Sequence, residues 1–148
     1  IGGLPMNLLP VRSIGGGQLQ LGGHRFLPEG PMAEALSLWH AKGRAPELSG
    51  GLRAEHLKLA PATNRNLAAE VSHSEALGNE QLLTCRLLEG DHLVQLRATP
   101  DQRLIPGETV HLEVDPSGWR LFDGSGVAIP RPEPAAEQRA EPVLPVLD

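Results

Sequence analysis

The sequence predicts a mostly β protein, a small barrel or sandwich of short antiparallel strands with one short helix and a disordered C-terminal tail. Three observations predict it. Apolar residues fall in many short runs instead of one long periodic stretch. Glycine and proline, 17 and 14 of the 148 residues, punctuate those runs, and turn signals spaced by about eight to twelve residues are the mark of a barrel or sandwich. Only one segment, Pro31 to His40, carries helical spacing.

Met6 to Ile14 reads as a strand bent at Pro10, followed by a glycine loop at Gly15, Gly16 and Gly17. Gln18 to Leu21 alternates polar and apolar, and Gly22-Gly23 joins it to His24 to Leu27 as a hairpin, because glycine enters left-handed turn conformations without steric cost. Pro31 starts the helix, with Ala35, Leu38 and Trp39 near one face, and Gly43 ends it. Leu48-Ser49-Gly50-Gly51 reads as a turn before a strand over Leu52 to Leu59. After a polar break at Pro61 to Asn66 come strands over Ala69 to Leu77, Gln81 to Leu88, His92 to Arg97 and Thr109 to Val114. Asp115-Pro116-Ser117-Gly118 is a strong turn, since proline presets its second position, and Trp119 to Phe122 is a final short strand. Pro130 to Asp148, with five prolines and three glutamates, has too few large apolar residues to pack and reads as a disordered tail. The expected organisation is one domain over 1–129 and a tail over 130–148.

Composition narrows the function. A net charge of -5 disfavours a nucleic-acid binder, which needs a basic surface to neutralise phosphates. One cysteine, Cys85, rules out an intramolecular disulfide framework and fits a reducing compartment. No run reaches the roughly 18 apolar residues of a membrane-spanning helix. The chain opens at Ile1 in an apolar stretch without a starting methionine, which reads as a piece of a larger, cytoplasmic protein.

Chemistry-bearing patterns are few. Leu48-Ser49-Gly50-Gly51 spells the start of the signature string of ABC-transporter ATPases, but no phosphate-cradling G-x-x-x-x-G-K-[ST] loop accompanies it, and the signature reading is rejected. His24, His40, His56, His73, His92 and His111 stand at wide, irregular spacings, so no metal is expected. Cys85 lies within the apolar run Leu82 to Leu87, where a thiol is usually inert packing. No nucleophile–base pair or carboxylate pair stands out. The residues alone therefore describe a strand-rich module with no catalytic residues, metal or cofactor.

Four strings resemble, in order, the C-terminal domain of ABC importer ATPase subunits for maltose-type sugars and glycerol 3-phosphate. Ile1-Gly2-Gly3-Leu4-Pro5-Met6-Asn7-Leu8-Leu9 is similar to the family's I-G-S-P-x-M-N-L/F-L. Gly51-Leu52-Arg53-Ala54-Glu55-His56-Leu57 is similar to G-I-R-P-E-H-L, with Ala54 in place of proline. Glu75-Ala76-Leu77-Gly78-Asn79-Glu80 resembles E-x-L-G-x-E, and Leu121-Phe122-Asp123 with Gly126 resembles L-F-D-x-x-T-G.

The resemblance implies an oligonucleotide/oligosaccharide-binding (OB-like, TOBE-type) barrel. It implies a non-catalytic regulatory and dimerisation role behind the ATPase domain. Implied partners are that ATPase domain and its dimer mate, the membrane permease subunits through the complex, and a regulatory protein. It also implies a cytoplasmic place at the inner face of the membrane. Arg53, Glu55 and His56 are expected to form a structural or partner-facing cluster, with Gly78, Asn79 and Glu80 as a nearby loop. A local Arg53–Glu55 ion pair that only fixes a turn is the competing reading of that cluster. The competing reading of the whole is a sensor holding a sugar or small oxyanion at a dimer seam. A basic pocket would be its mark, and no run of concentrated Arg or Lys builds one.

Overall fold

The computed structural model describes residues 4–130, so the expected tail over 130–148 lies, beyond Pro130, outside the described residues. Ten strands form two antiparallel five-stranded sheets. In chain order they are β1 (Asn7–Gly15), β2 (Gln18–Leu21), β3 (His24–Phe26), β4 (Glu47–Leu52), β5 (Leu57–Ala60), β6 (Leu67–Ala76), β7 (Gln81–Leu87), β8 (Leu93–Ala98), β9 (Thr109–Val114) and β10 (Arg120–Phe122). One sheet has the order β10-β4-β1-β2-β3 and the other β5-β9-β6-β7-β8. The helix α1 spans Pro31–Ala41, and a single 3-10 turn, Ala54–His56, links β4 to β5.

The glycine-rich hairpin and the proline-initiated helix form where the sequence places them. The Gly15-Gly16-Gly17 loop has three consecutive positive φ angles, 91°, 65° and 70°, which residues with a Cβ rarely adopt. The β2–β3 pair runs antiparallel with Leu21 opposite His24 across Gly22-Gly23. Gly43, at φ 68°, follows the helix and donates its N–H to the His40 carbonyl.

Three local expectations are corrected. Leu38 faces solvent at 46% exposure, and the buried helix face is Met32, Ala35, Leu36 and Trp39. Leu48 to Gly51 is strand, not turn: Gly50 pairs with Leu9 on one side and Leu121 on the other. The glycines are there for packing, since a Cβ on Gly50 would sit 2.6 Å from Trp119 Cζ3 and one on Gly51 would collide with Met6. Leu52 to Leu59 is not one strand either, because the 3-10 turn divides it and lets the chain pass from one sheet to the other.

Alternation along the strands supplies one continuous core. β7 is strictly alternating, with Gln81, Leu83, Cys85 and Leu87 buried, and β1 buries Asn7, Leu9, Val11 and Ser13. The core is aliphatic, with Leu9, Leu19, Leu52, Leu83, Leu96 and Leu112 at 1% exposure or less, and it runs through both sheets. Asn7 ties the sheets by its side chain. Its Nδ2 donates to the Gln95 carbonyl at 3.0 Å, and its Oδ1 accepts the Gln95 N–H at 2.8 Å, so a side-chain amide completes a ladder rung on β8.

Candidate functional site

The R-x-E-H string forms a knuckle at the crossing between the sheets. Arg53 is extended, at φ -77° and ψ 161°, and begins the 3-10 turn. Ala54 packs inward, whereas Arg53 and Glu55 are exposed. His56 is the pivot. Its Nδ1 accepts the Arg53 backbone N–H at 3.3 Å, and its carbonyl accepts the Asp115 N–H at 2.9 Å. Its ring lies against Gly118, where a Cβ would strike the imidazole. The string thereby locks to the β9–β10 turn. In that turn Asp115 Oδ1 accepts the Ser117 N–H at 3.0 Å and the Ser117 hydroxyl at 2.8 Å. Those two hydrogen bonds, with the positive charge of Lys58 adding to them, hold the Asp115 carboxyl below its ordinary value.

Arg53 and Glu55 do not pair with each other. The ion pairs among the described residues are Arg12–Glu47, Arg86–Glu70, Arg86–Asp91 and Arg97–Glu80. Both side chains therefore point their charges outward from a rigid turn. Gly78, Asn79 and Glu80 are placed elsewhere, in the β6–β7 connection, where Leu77 N–H meets the Glu80 carbonyl at 2.8 Å and Glu80 Oε2 lies 3.2 Å from Arg97 Nε. The two strings line separate clefts. Glu55 and His56 share one of about 370 Å³ with Lys58, Glu113 and Asp115, and Gly78 and Glu80 share one of about 280 Å³ with Arg103 and Ile105.

A larger cleft lies at neither string. It encloses about 610 Å³ and is lined by Gly23 to Leu27 of the β3 region, Asn64 and Arg65 of the β5–β6 loop, and Val114, Pro116 and Trp119 around the β9–β10 turn. Both sheets therefore contribute to it. Phe26 and Trp119 are buried and meet edge to face at 5.0 Å, and His24 lies 4.7 Å from Phe26. Arg25, Asn64 and Arg65 are exposed on the rim. One side is fixed by the Glu29 N–H, which donates to the Pro116 carbonyl at 2.9 Å. Sequence reasoning missed this cleft, because its two arginines lie forty positions apart and line one concavity only through the fold.

Cys85 is fully buried on β7, and burial pushes its thiol from the ordinary 9.0 up to about 11. That is the opposite of the depression that makes a nucleophilic thiolate. Among the described residues no group of three or more His, Cys, Asp or Glu is arranged to hold a metal ion. No helix among them is long and apolar enough to cross a membrane.

Residues 50–122 match the family described as TOBE domain. A curated relative, the sulfoquinovosyl glycerol transport ATP-binding protein SmoE of Agrobacterium fabrum strain C58, is 36% identical over 75 residues. The aligned region is 51% of this chain and 20% of that protein, so the chain spans about one fifth of the length of the relative it matches. Among solved structures, the molybdate-bound form of the cytoplasmic molybdate-binding protein ModG superposes with a TM-score of 0.57, covering 86% of this chain and 98% of that one. At 17% identity that likeness is one of fold. The match over 50–122 contains the knuckle, the 78–80 turn and every strand from β5 to β10. Over residues 50–122, then, the chain is a TOBE domain, and it is similar to part of an ABC-type transport ATP-binding protein.

Proposed function

We propose that this chain is the regulatory and dimerisation domain of an ABC importer ATPase subunit for a carbohydrate or glycerol 3-phosphate, with no catalytic step of its own. The observation that carries the reading is the TOBE match over 50–122, reinforced by 36% identity over 75 residues to a sugar-conjugate transporter's ATP-binding protein. In such an assembly the domain stands at the cytoplasmic face, beside its own ATPase domain and its twin, and reaches the permease subunits only through the complex. Its effect is a coupling free energy: a contact made in one arrangement of the ATPase dimer and not in another biases the cycle between them.

The knuckle suits this work. Arg53 and Glu55 have no ion-pair partner among the described residues and project from a turn that His56 fastens to the fold, so a partner meets charges on a fixed mount. The Gly78-Asn79-Glu80 turn, held by Arg97, is a second, separate contact point. Light scattering of the chain across a concentration series tests the proposal. A dimer that dissociates in the micromolar range, weakened by Arg53→Ala or Glu55→Ala with an unchanged melting temperature, supports a partner-facing knuckle. A strict monomer at every concentration contradicts a built-in pairing surface.

A further inference from the structure

We propose that the 610 Å³ cleft between the two sheets is a binding site within a single chain for an anionic sugar or polyol, a carbohydrate-sized molecule bearing a phosphate, carboxylate or sulfonate. The inference stands apart from the transporter reading, because it concerns residues of this chain alone.

Charge is the first argument. The protein carries a net charge of -5, with 18 acidic residues, yet no Asp or Glu lines this cleft. Arg25 and Arg65 both line it, and neither has an ion-pair partner among the described residues. In an acidic protein, two arginines without ion-pair partners along one concavity make its potential more positive than that of the surrounding surface. Their planar forks match the paired oxygens of carboxylate, phosphate or sulfonate.

Shape and lining give the rest of the ligand. The Asn64 amide offers two donors and an acceptor, and the half-buried His24 ring adds a donor or acceptor, a set that suits hydroxyl groups. Phe26, Val114 and Pro116 line the cleft with apolar surface of the kind that packs on the C–H face of a sugar ring. The volume falls in the range of about 300–1,000 Å³ usual for small-molecule sites. A bare oxyanion would leave the apolar lining and the amide unused. A neutral sugar would leave both arginines without a counter-charge.

The site also bridges the fold, since β3 belongs to one sheet and the β5–β6 loop and β9 to the other. Occupancy would therefore draw the sheets together, and it would be felt at Trp119, which lies behind the cleft at 2% exposure.

The test is a titration of the 148-residue chain by calorimetry and by the two tryptophan indole N–H signals in a nitrogen–proton correlation spectrum. The probes are glucose 6-phosphate, glucuronate and glycerol 3-phosphate, with glucose and inorganic phosphate as controls. At least one organic anion should bind and shift the Trp119 signal, while Trp39, whose indole donates to the Ala45 carbonyl at 2.7 Å and is not part of the cleft, stays in place. Arg25→Gln and Arg65→Gln should each weaken that binding by about tenfold. Arg120→Gln, an exposed arginine outside the cleft, should leave it unchanged. Three results would overturn the proposal: no binding by any of the organic anions, equal binding by inorganic phosphate alone, or binding indifferent to Arg25 and Arg65. Because both arginines are exposed, a melting curve separates loss of binding from loss of the fold.

Discussion

Replacing Gly50 by alanine places one methyl group where the structure has no room. Gly50 sits in the middle of β4, flanked by Leu9 of β1 and Leu121 of β10. Its φ is not in the left-handed region, so alanine adds no backbone strain there. The cost is steric. The new Cβ would lie 2.6 Å from Trp119 Cζ3, 3.0 Å from Cε3 and 3.2 Å from Val11 Cγ2. Ordinary carbon–carbon contact is about 3.5–4.0 Å, so the indole must move by about 1 Å. Trp119 also packs edge to face with Phe26 at 5.0 Å, and its neighbour Gly118 lies against His56. Overpacking of this kind costs about 1–3 kcal/mol, and the contact to a pinned ring places it near the upper end. Removing a glycine from a strand returns about 0.5–1 kcal/mol, leaving a net loss of about 1–2 kcal/mol.

For a chain of this length that loss lowers the melting temperature by about 3–6 °C. Calorimetry or urea unfolding measures it. Gly124→Ala is the matched control, since nothing lies within 4 Å of its added Cβ, and its stability should stay within about 0.5 kcal/mol of the parent. In a Trp119→Phe background the Gly50→Ala penalty should shrink by at least about 1 kcal/mol. A Gly50→Ala protein as stable as the parent would refute the claim that these glycines exist to seat Trp119.

Other outcomes follow from the same geometry. Asn7→Ala removes both hydrogen bonds to Gln95 and leaves a backbone donor and acceptor without partners between the sheets, so urea unfolding should show a loss of about 2–3 kcal/mol. Cys85 should resist a thiol reagent such as Ellman's at neutral pH until the protein unfolds, because it is buried and its thiol is pushed up to about 11. The same shift means that the folded chain holds this proton more tightly than the unfolded one. That contribution is complete below pH 9.0 and is lost as pH rises toward about 11, which alkaline melting curves of the parent and Cys85→Ala would compare. Asp115 and Asp123 are displaced the other way, each lowered from 3.8 first by hydrogen bonds within its turn, to Ser117 and to Ser125 respectively. The stability they confer is present above that pH and is lost as acid protonates them, so Asp115→Asn should flatten the acid limb of the stability curve.

Much of this architecture was legible in the sequence because its signals are local. Gly22-Gly23 between alternating runs marks a hairpin, Pro31 with helical spacing marks a helix, and Asp115 to Gly118 marks a turn, each from neighbouring residues alone. Errors arose where a residue answers to a distant one. Gly50 and Gly51 read as turn residues, yet they are strand residues thinned to admit Trp119 and Met6. Leu38 suits the apolar face by spacing, but the sheet contacts fall on Met32 and Leu36 instead. The knuckle at Arg53, Glu55 and His56 was visible as a string, although the dependence of His56 on Gly118 was not. The Gly78-Asn79-Glu80 turn was expected beside the knuckle and lines a different cleft. The cleft between the sheets could not be read at all, since Arg25 and Arg65 line it only through two sheets that the sequence does not assign.

The central claim, that this chain acts as the regulatory domain of an ABC importer ATPase, is tested most directly by exchange. The matching segment of the Agrobacterium relative would be replaced by this chain, and ATP hydrolysis and dimerisation of the chimera compared with those of the intact protein and of a version lacking the segment. The account predicts a chimera that dimerises and hydrolyses ATP like the intact protein, and that loses pairing when Arg53 and Glu55 become alanine. A folded chimera that behaves like the truncated protein would contradict it.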